Sequence, residues 1–268
     1  MAHVGLITGS GFYGQSGAAM APRTVATPFG PVRVTAGRAH AHVVTHLARH
    51  GAAHERLSHH VEHRANVWAL HELGVDAIVA STAVGVLSAD LPLGVPLLFD
   101  DLYFPSNRLP DGSLATFFAV PGDPRRGHWI PADPFSPALR ARLAGAARRA
   151  GIDVVDGCCY AHADGPRFNT AAEHRALRAA GAAAVSQTCG PEAVLAGELG
   201  IPYALVGFGV NHVTGLGLPP TPDADMARLL ARHAEVVGAL VAAFLAELPA
   251  DATFPLDTGS VFRIAGGG

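Results

Sequence analysis

Lysine is absent from the 268 residues; all 19 basic side chains are arginine. Two kinds of chemistry go with it. Schiff-base catalysis needs a primary amine, and a Walker-type phosphate loop needs a lysine. Cysteine is scarce: Cys158 and Cys159 adjoin and Cys189 stands apart, which fits neither a zinc site nor a disulfide framework. Only 15% of residues are charged, the formal net charge is −3, and no basic run is interleaved with aromatics, so a nucleic-acid partner is not expected. We read no signal peptide and no apolar run long enough to span a bilayer, so no membrane partner is expected and the expected location is the cytoplasm.

What remains is a hydrophobic chain, 49% apolar, long enough to bury a sizeable core. A low charged fraction fits surface covered in an oligomer. His3–Thr8 reads as a buried strand, Val32–Thr35 and Ala41–Leu47 as paired strands, and Val61–Leu73 as a helix with Val67, Leu70 and Leu73 on one face. Ala77–Ala80, Leu97–Leu102, Val154–Ala161 and Tyr203–Val210 are further strands. Helices are expected over Phe135–Ala150, Thr170–Ala180, Ala193–Leu199 and Asp223–Leu248, with Ser136 and Pro137 marking an N-terminus. Phe104 to Asp133 is rich in proline and glycine and reads as a long irregular excursion. The alternation predicts an α/β fold: one domain over 1–248, a mixed central β-sheet flanked by helices and mostly parallel at its centre, with 249–268 a poorly ordered tail.

Four segments carry chemistry. Thr8-Gly9-Ser10-Gly11-Phe12 follows a strand; its glycines allow close backbone approach and Ser10 offers a hydroxyl, although a plain tight turn explains it equally. Arg49-His50-Gly51 ends an apolar strand, where a planar guanidinium fork suits an oxyanion. Asp164–Thr170 joins a strand to a helix; Phe168 is either a stacking ring or a core aromatic, Asn169 offers donor and acceptor, and Thr170 suits an N-cap. Ser186–Glu192 places Thr188 at a helix N-terminus, a place that favours anions, and Asn211-His212 follow the next strand. Histidine is dense between His40 and His71. His59 and His63, four apart, have the spacing of a helical metal site, whereas His42 and His46 lie in an expected strand where that spacing means little; no acidic ligand accompanies them and no metal is expected.

Taken in order, these blocks resemble the trimeric purine nucleoside phosphorylases, and within them the methylthioadenosine phosphorylase branch. The resembling stretches are Thr8–Phe12, Ala48–Gly51 with His54, Arg64–Leu70, Ser81–Gly85, His128–Pro131 with Pro134-Phe135, Asp164–Phe168, and Thr188–Gly200; together they span about 3 to 245. The resemblance implies phosphate-dependent cleavage of an N-glycosidic bond, giving a free base and a pentose 1-phosphate. Inorganic phosphate is then the co-substrate, no cofactor is needed, and the assembly is a homotrimer or a dimer of trimers. It also implies that Ser10, Arg49, His50, Thr82, Ala83 and Thr188 hold phosphate. Val84, Gly85, Phe168, Asn169, Gln187 and Asn211 would meet base and sugar. His54 and a neighbouring subunit's His128 would lie near the 5′ end, and Asn211, His50 and Arg49 would act in catalysis.

Four positions depart from one or other branch of the family pattern. Asn211 and Val213 stand where the methylthioadenosine branch carries aspartates, and an asparagine at 211 matches the 6-oxopurine branch. That branch, however, has a glutamate where Asn169 stands. Gln187 replaces a methionine under the sugar, and a buried amide needs partners. The expected substrate is a 6-oxopurine or 5′-modified nucleoside. The alternatives are a uridine-type phosphorylase, a non-catalytic nucleoside-binding homologue, and a metal-dependent hydrolase built on the histidines.

Overall fold

The computed structural model describes residues 1–9 and 20–263. Eleven strands and five α-helices alternate along these residues. Strand β1 is His3–Thr8, β2 Ala21–Val25, β3 Val32–Ala39, β4 His42–Ala48, β5 Ala77–Val86 and β6 Pro96–Tyr103. They are followed by β7 Gly127–Pro131, β8 Val155–His162, β9 Ala182–Ser186, β10 Tyr203–His212 and β11 Gly259–Arg263. The helices are α1 His63–Glu72, α2 Pro137–Arg149, α3 Ala171–Ala179, α4 Cys189–Glu198 and α5 Asp223–Glu247.

Nine strands form one mixed sheet in the order β10-β6-β8-β9-β5-β1-β4-β3-β2. A further β10–β5 pairing makes β5, β10, β6, β8 and β9 a closed ring. The parallel pairs β4–β1, β1–β5 and β5–β10 put four strand ends on one edge. Ligands of α/β proteins gather at such an edge.

Both faces of the sheet are covered, which is why its central strands read as unbroken apolar runs. Ile78, Ala80 and Val84 of β5 and Leu205 of β10 pack with Leu70 of α1 and Leu195 of α4. The alternate residues Ala77, Val79, Val206 and Phe208 pack with Leu139 and Leu143 of α2 and Val237, Leu240 and Phe244 of α5. Local signals set the helix starts. Ser136 caps α2 by accepting from the Leu139 N–H, and Thr170 and Glu173 form a capping box on α3.

Four expectations need correction. The stretch from 104 to 133 is not wholly irregular, because it carries β7. The segment after Leu248 is not a loose tail throughout. Within it β11 pairs antiparallel with β7, Thr258 is buried, and Asp257 accepts from the Ala138 N–H; residues 264–268 lie outside the described residues. The strands β2 and β9 were not read from the sequence. Finally, α5 is long and apolar enough by composition to cross a membrane, contrary to the reading that no such run exists. Alanine and valine sustain its apolarity across Arg232 and Glu235, and in this fold one face of it packs on β10 and α2.

Candidate active site

Five chain segments converge at the shared strand edge: the ends of β1, β4, β5 and β10, and the link from β9 into α4. Gly9 follows β1 and touches Arg49 so closely that a Cβ there would fall 2.7 Å from Nη1; it would lie 3.6 Å from the Ser81 carbonyl oxygen and 3.8 Å from Nε2 of His50. This is one end of the site. Ser10, expected beside it, lies outside the described residues.

Arg49 is wholly buried, and its fork is not open to a ligand as the sequence reading assumed. Nε and Nη2 donate to the two carboxylate oxygens of Glu192 at 2.6 and 2.9 Å, while Nη1 donates to the Ser81 carbonyl at 2.6 Å and is the nitrogen nearest Gly9. Tyr203 adds a hydroxyl bond to Glu192 at 2.8 Å. Burial opposes both charges. The opposite partner outweighs it, holding the guanidinium above and the carboxyl below their ordinary pKa values.

His50 is half-buried, and its Nδ1 lies 2.9 Å from the Arg56 carbonyl oxygen, so Nδ1 carries the proton and Nε2 is an acceptor on the Gly9 side. Burial, then the Arg49 and His54 charges, lower its pKa to about 4, so the ring is neutral near pH 7. The His54 ring lies against it tilted by 40°, with centroids 4.6 Å apart, and the residue has a positive φ of 56°.

Thr82 is buried on β5, its hydroxyl 3.1 Å from that of Ser186. Thr188 is the N-cap residue of α4, yet among the described residues its side chain caps nothing and makes a 3.6 Å contact with Cys189 Sγ. The Cys189 N–H donates to the Tyr160 hydroxyl and the Gly190 N–H to Nδ1 of His162, at 3.3 and 3.4 Å. The first helical N–H groups are therefore engaged within the protein, and an anion here would meet the Thr188 hydroxyl instead. Ala83 is half-buried between Thr82 and Val84.

The other end lies three residues along β5. Gly85 pairs with Asn211 in register, and a Cβ on Gly85 would fall 3.7 Å from both amide atoms of Asn211 and 2.9 Å from Cγ1 of Val213. Asn211 donates from Nδ2 to the His212 carbonyl at 3.2 Å. Val84 is buried in the core, so its side chain backs this end from behind.

Gln187 directly precedes Thr188 in the link from β9 into α4. Its Oε1 accepts from the Ser58 hydroxyl at 2.8 Å and its Nε2 donates to the Arg167 carbonyl at 3.0 Å, which supplies the partners its amide requires. Gly165, followed by a cis-proline, leaves room for this contact, since a Cβ there would overlap Gln187 and Ser58 at 2.3 Å. Phe168 is not a core aromatic: it is 76% exposed on the loop before α3. Asn169 is half-buried beside it, and His128 is exposed on β7.

Sequence reasoning missed Glu192, which stands 143 residues from Arg49 with no local signal linking them. It also missed Ser58 and His162, and weighed His63 only as half of a metal pair with His59. Among the described residues, no group of three or more His, Cys, Asp or Glu converges as a metal site would require. His42 and His46 are each bonded internally, to Ala2 and Leu248 and to Thr8.

Comparison with known proteins supplies an independent line. Residues 3–246 match the family model described as the phosphorylase superfamily. The 6-oxopurine nucleoside phosphorylase of Pyrococcus furiosus is 32% identical over 253 residues, covering 93% of this chain and 94% of that protein. A probable S-methyl-5′-thioinosine phosphorylase of Methanopyrus kandleri is 40% identical, covering 81% of each chain. Among solved structures, methylthioadenosine phosphorylase from Schistosoma mansoni in complex with adenine superposes with a TM-score of 0.81 at 26% identity, covering 92% of this chain and 91% of that one.

Proposed function

The chain belongs to the phosphorylase superfamily, and from that premise we infer that it is a nucleoside phosphorylase, a pentosyltransferase acting on a 6-oxopurine or 5′-modified nucleoside. Phosphate displaces the base at C1′, giving a free base and a pentose 1-phosphate. The relatives named above are phosphorylases of purine nucleosides, so the uridine-type alternative is not favoured.

The observation that supports the site is the spacing along β5. Thr82 lies beside Ser186 and follows Ser81, whose carbonyl accepts from Arg49, and Gly85 lies beside Asn211. C1′ must sit between its two reaction partners, so the sugar spans Thr82 to Gly85. Phosphate is held by the Thr82 and Thr188 hydroxyls, the Ala83 backbone, Nη1 of Arg49, Nε2 of His50 and Ser10. A neutral His50 presents a lone pair, which pairs with the P–OH of hydrogen phosphate. Positioned donors and acceptors of this kind stabilise the developing charges of a ribosyl-cation-like transition state.

At the base end the amide of Asn211 meets the ring, and Phe168 closes over it from the exposed loop before α3, with Asn169 beside it. Val213 offers no acid to a 6-amino group, which supports the 6-oxopurine preference. His54, together with His128 from a neighbouring subunit, borders the 5′ end in a homotrimer or dimer of trimers. The exposure of His128 on β7 supports that placement. Cytoplasmic residence belongs to the same reading. Incubation with a nucleoside panel, with and without phosphate, tests the function; base release that ignores phosphate contradicts it.

A further inference from the structure

A cavity of about 180 Å³ opens beside Gln187, which lines it. A single water needs only about 10–15 Å³ of such space, so this one has room for a group of several heavy atoms. Ser58, His59 and His63 line one wall, His162 and Asp164 another, and Arg108 the rim.

The lining mixes apolar residues such as Leu109, Pro110 and Pro191 with polar ones, and the polar atoms are incompletely paired. His63 is 2% exposed, and among the described residues neither ring nitrogen has a hydrogen-bond partner; Nδ1 stands 4.0 Å from Glu192 Oε1, beyond bonding distance. Nδ1 of His59 is likewise buried without a partner. Unpaired buried polar atoms are costly and ask for an explanation. Burial lowers the His63 pKa to about 4 and the His162 pKa to about 3, so both rings are neutral near pH 7. His162 accepts the Gly190 N–H on Nδ1, which leaves its proton on Nε2, 3.9 Å from Asp164. Asp164 and Arg108 carry opposite charges. An ion of either sign meets one unfavourable partner, whereas a hydroxyl both gives and accepts hydrogen bonds.

Register fixes where the cavity lies relative to the sugar. Gly85 pairs with Val185 and Val86 with Ala184, antiparallel. The next residue, Ser186, has its hydroxyl 3.1 Å from that of Thr82, so Gln187 leaves the ladder directly after the stretch that faces the Thr82–Gly85 span. C1′ belongs at this level. C2′ is bonded to C1′, whereas C5′ lies across the ring.

We propose that the cavity receives an uncharged, hydroxyl-bearing substituent on O2′ of the nucleoside, with His63 and His59 as its hydrogen-bond partners. The proposal rests on the nucleoside phosphorylase reading and goes beyond it, since that reading needs no such subsite.

The test compares inosine, 2′-O-methylinosine and 2′-O-(2-hydroxyethyl)inosine on the wild type, His63→Phe and His59→Leu. The wild type is expected to cleave the hydroxyethyl compound with kcat/KM within about tenfold of inosine and above the methyl compound. Each variant should lower kcat/KM for the hydroxyethyl compound by about tenfold or more, and change that for inosine by less than about threefold. Cleavage of inosine with rejection of both substituted compounds overturns the subsite and leaves the phosphorylase reading intact. Equal losses on all compounds in both variants overturn it too. If no nucleoside is cleaved, the phosphorylase reading fails, and calorimetry with the hydroxyethyl compound decides the cavity. Binding that weakens in either variant supports it; absence of binding to the wild type overturns it.

Discussion

Arg49 and Glu192 meet in a two-point ion pair with both side chains fully buried, Nε to Oε1 at 2.6 Å and Nη2 to Oε2 at 2.9 Å. The pair ties the end of β4 to the first turn of α4, so the two segments that carry His50 and Thr188 are held by one contact. It also cancels most of the charge that a bare arginine would bring to the phosphate end.

Breaking one side of such a pair leaves the other charge alone in the interior. Glu192→Gln should therefore destabilise the fold by about 3–5 kcal/mol. Denaturant unfolding measures this. The double variant Arg49→Met/Glu192→Gln should lose less than the sum of the two single losses, and strict additivity would contradict the coupling.

That double variant also isolates the role of Nη1 without stranding a charge. Its phosphate KM should rise by about tenfold or more while its nucleoside KM changes less than about threefold. Steady-state kinetics with each substrate varied in turn measures the split. Equal effects on both constants would remove Arg49 from the phosphate end.

Asn211 faces Gly85 with Val213 beside it, and neither carries an acid. Asn211→Asp should shift the ratio of kcat/KM values toward 6-aminopurine nucleosides by about tenfold, because a carboxylate accepts from an amino group and opposes a carbonyl. Paired assays on inosine and adenosine read this directly. An unchanged ratio would mean that the side chain at 211 does not meet the base.

Much of this arrangement was legible because its signals are local. Thr170 and Glu173, three residues apart, announce their capping box, and Ser136-Pro137 announce α2. The central strands show as unbroken apolar runs because both sheet faces are covered. What stayed hidden is non-local. The alanine-rich β9 favours helix by propensity and becomes a strand through pairing with β8 and β5. The partner of β7 is β11, more than a hundred residues on, and neither is apolar enough to read alone. Glu192 looks like an ordinary first-turn acid until the fold brings Arg49 to it. Phe168 could be read either as core or as a stacking ring, and only its exposure separates the two.

Buried histidines make stability fall on the acid side. The pKa of His63 is lowered to about 4 and that of His162 to about 3, chiefly by burial, so from pH 6.5 down to about 4 the unfolded chain takes up protons that the folded chain refuses. Stability should drop through this window by about 1.4 kcal/mol per pH unit for each such group. Urea midpoints at pH 7, 6 and 5 measure the slope, and His63→Phe should flatten it by one proton's share. An unchanged slope would place His63 in contact with solvent or a partner.

The central claim is phosphorolysis at the Thr82–Gly85 span, and the most direct measurement is the product balance from inosine. With phosphate present, the purified protein should release hypoxanthine and ribose 1-phosphate in equal amounts, and it should release neither when phosphate is withheld. Hypoxanthine formed at the same rate without phosphate, with free ribose as the second product, would contradict the account.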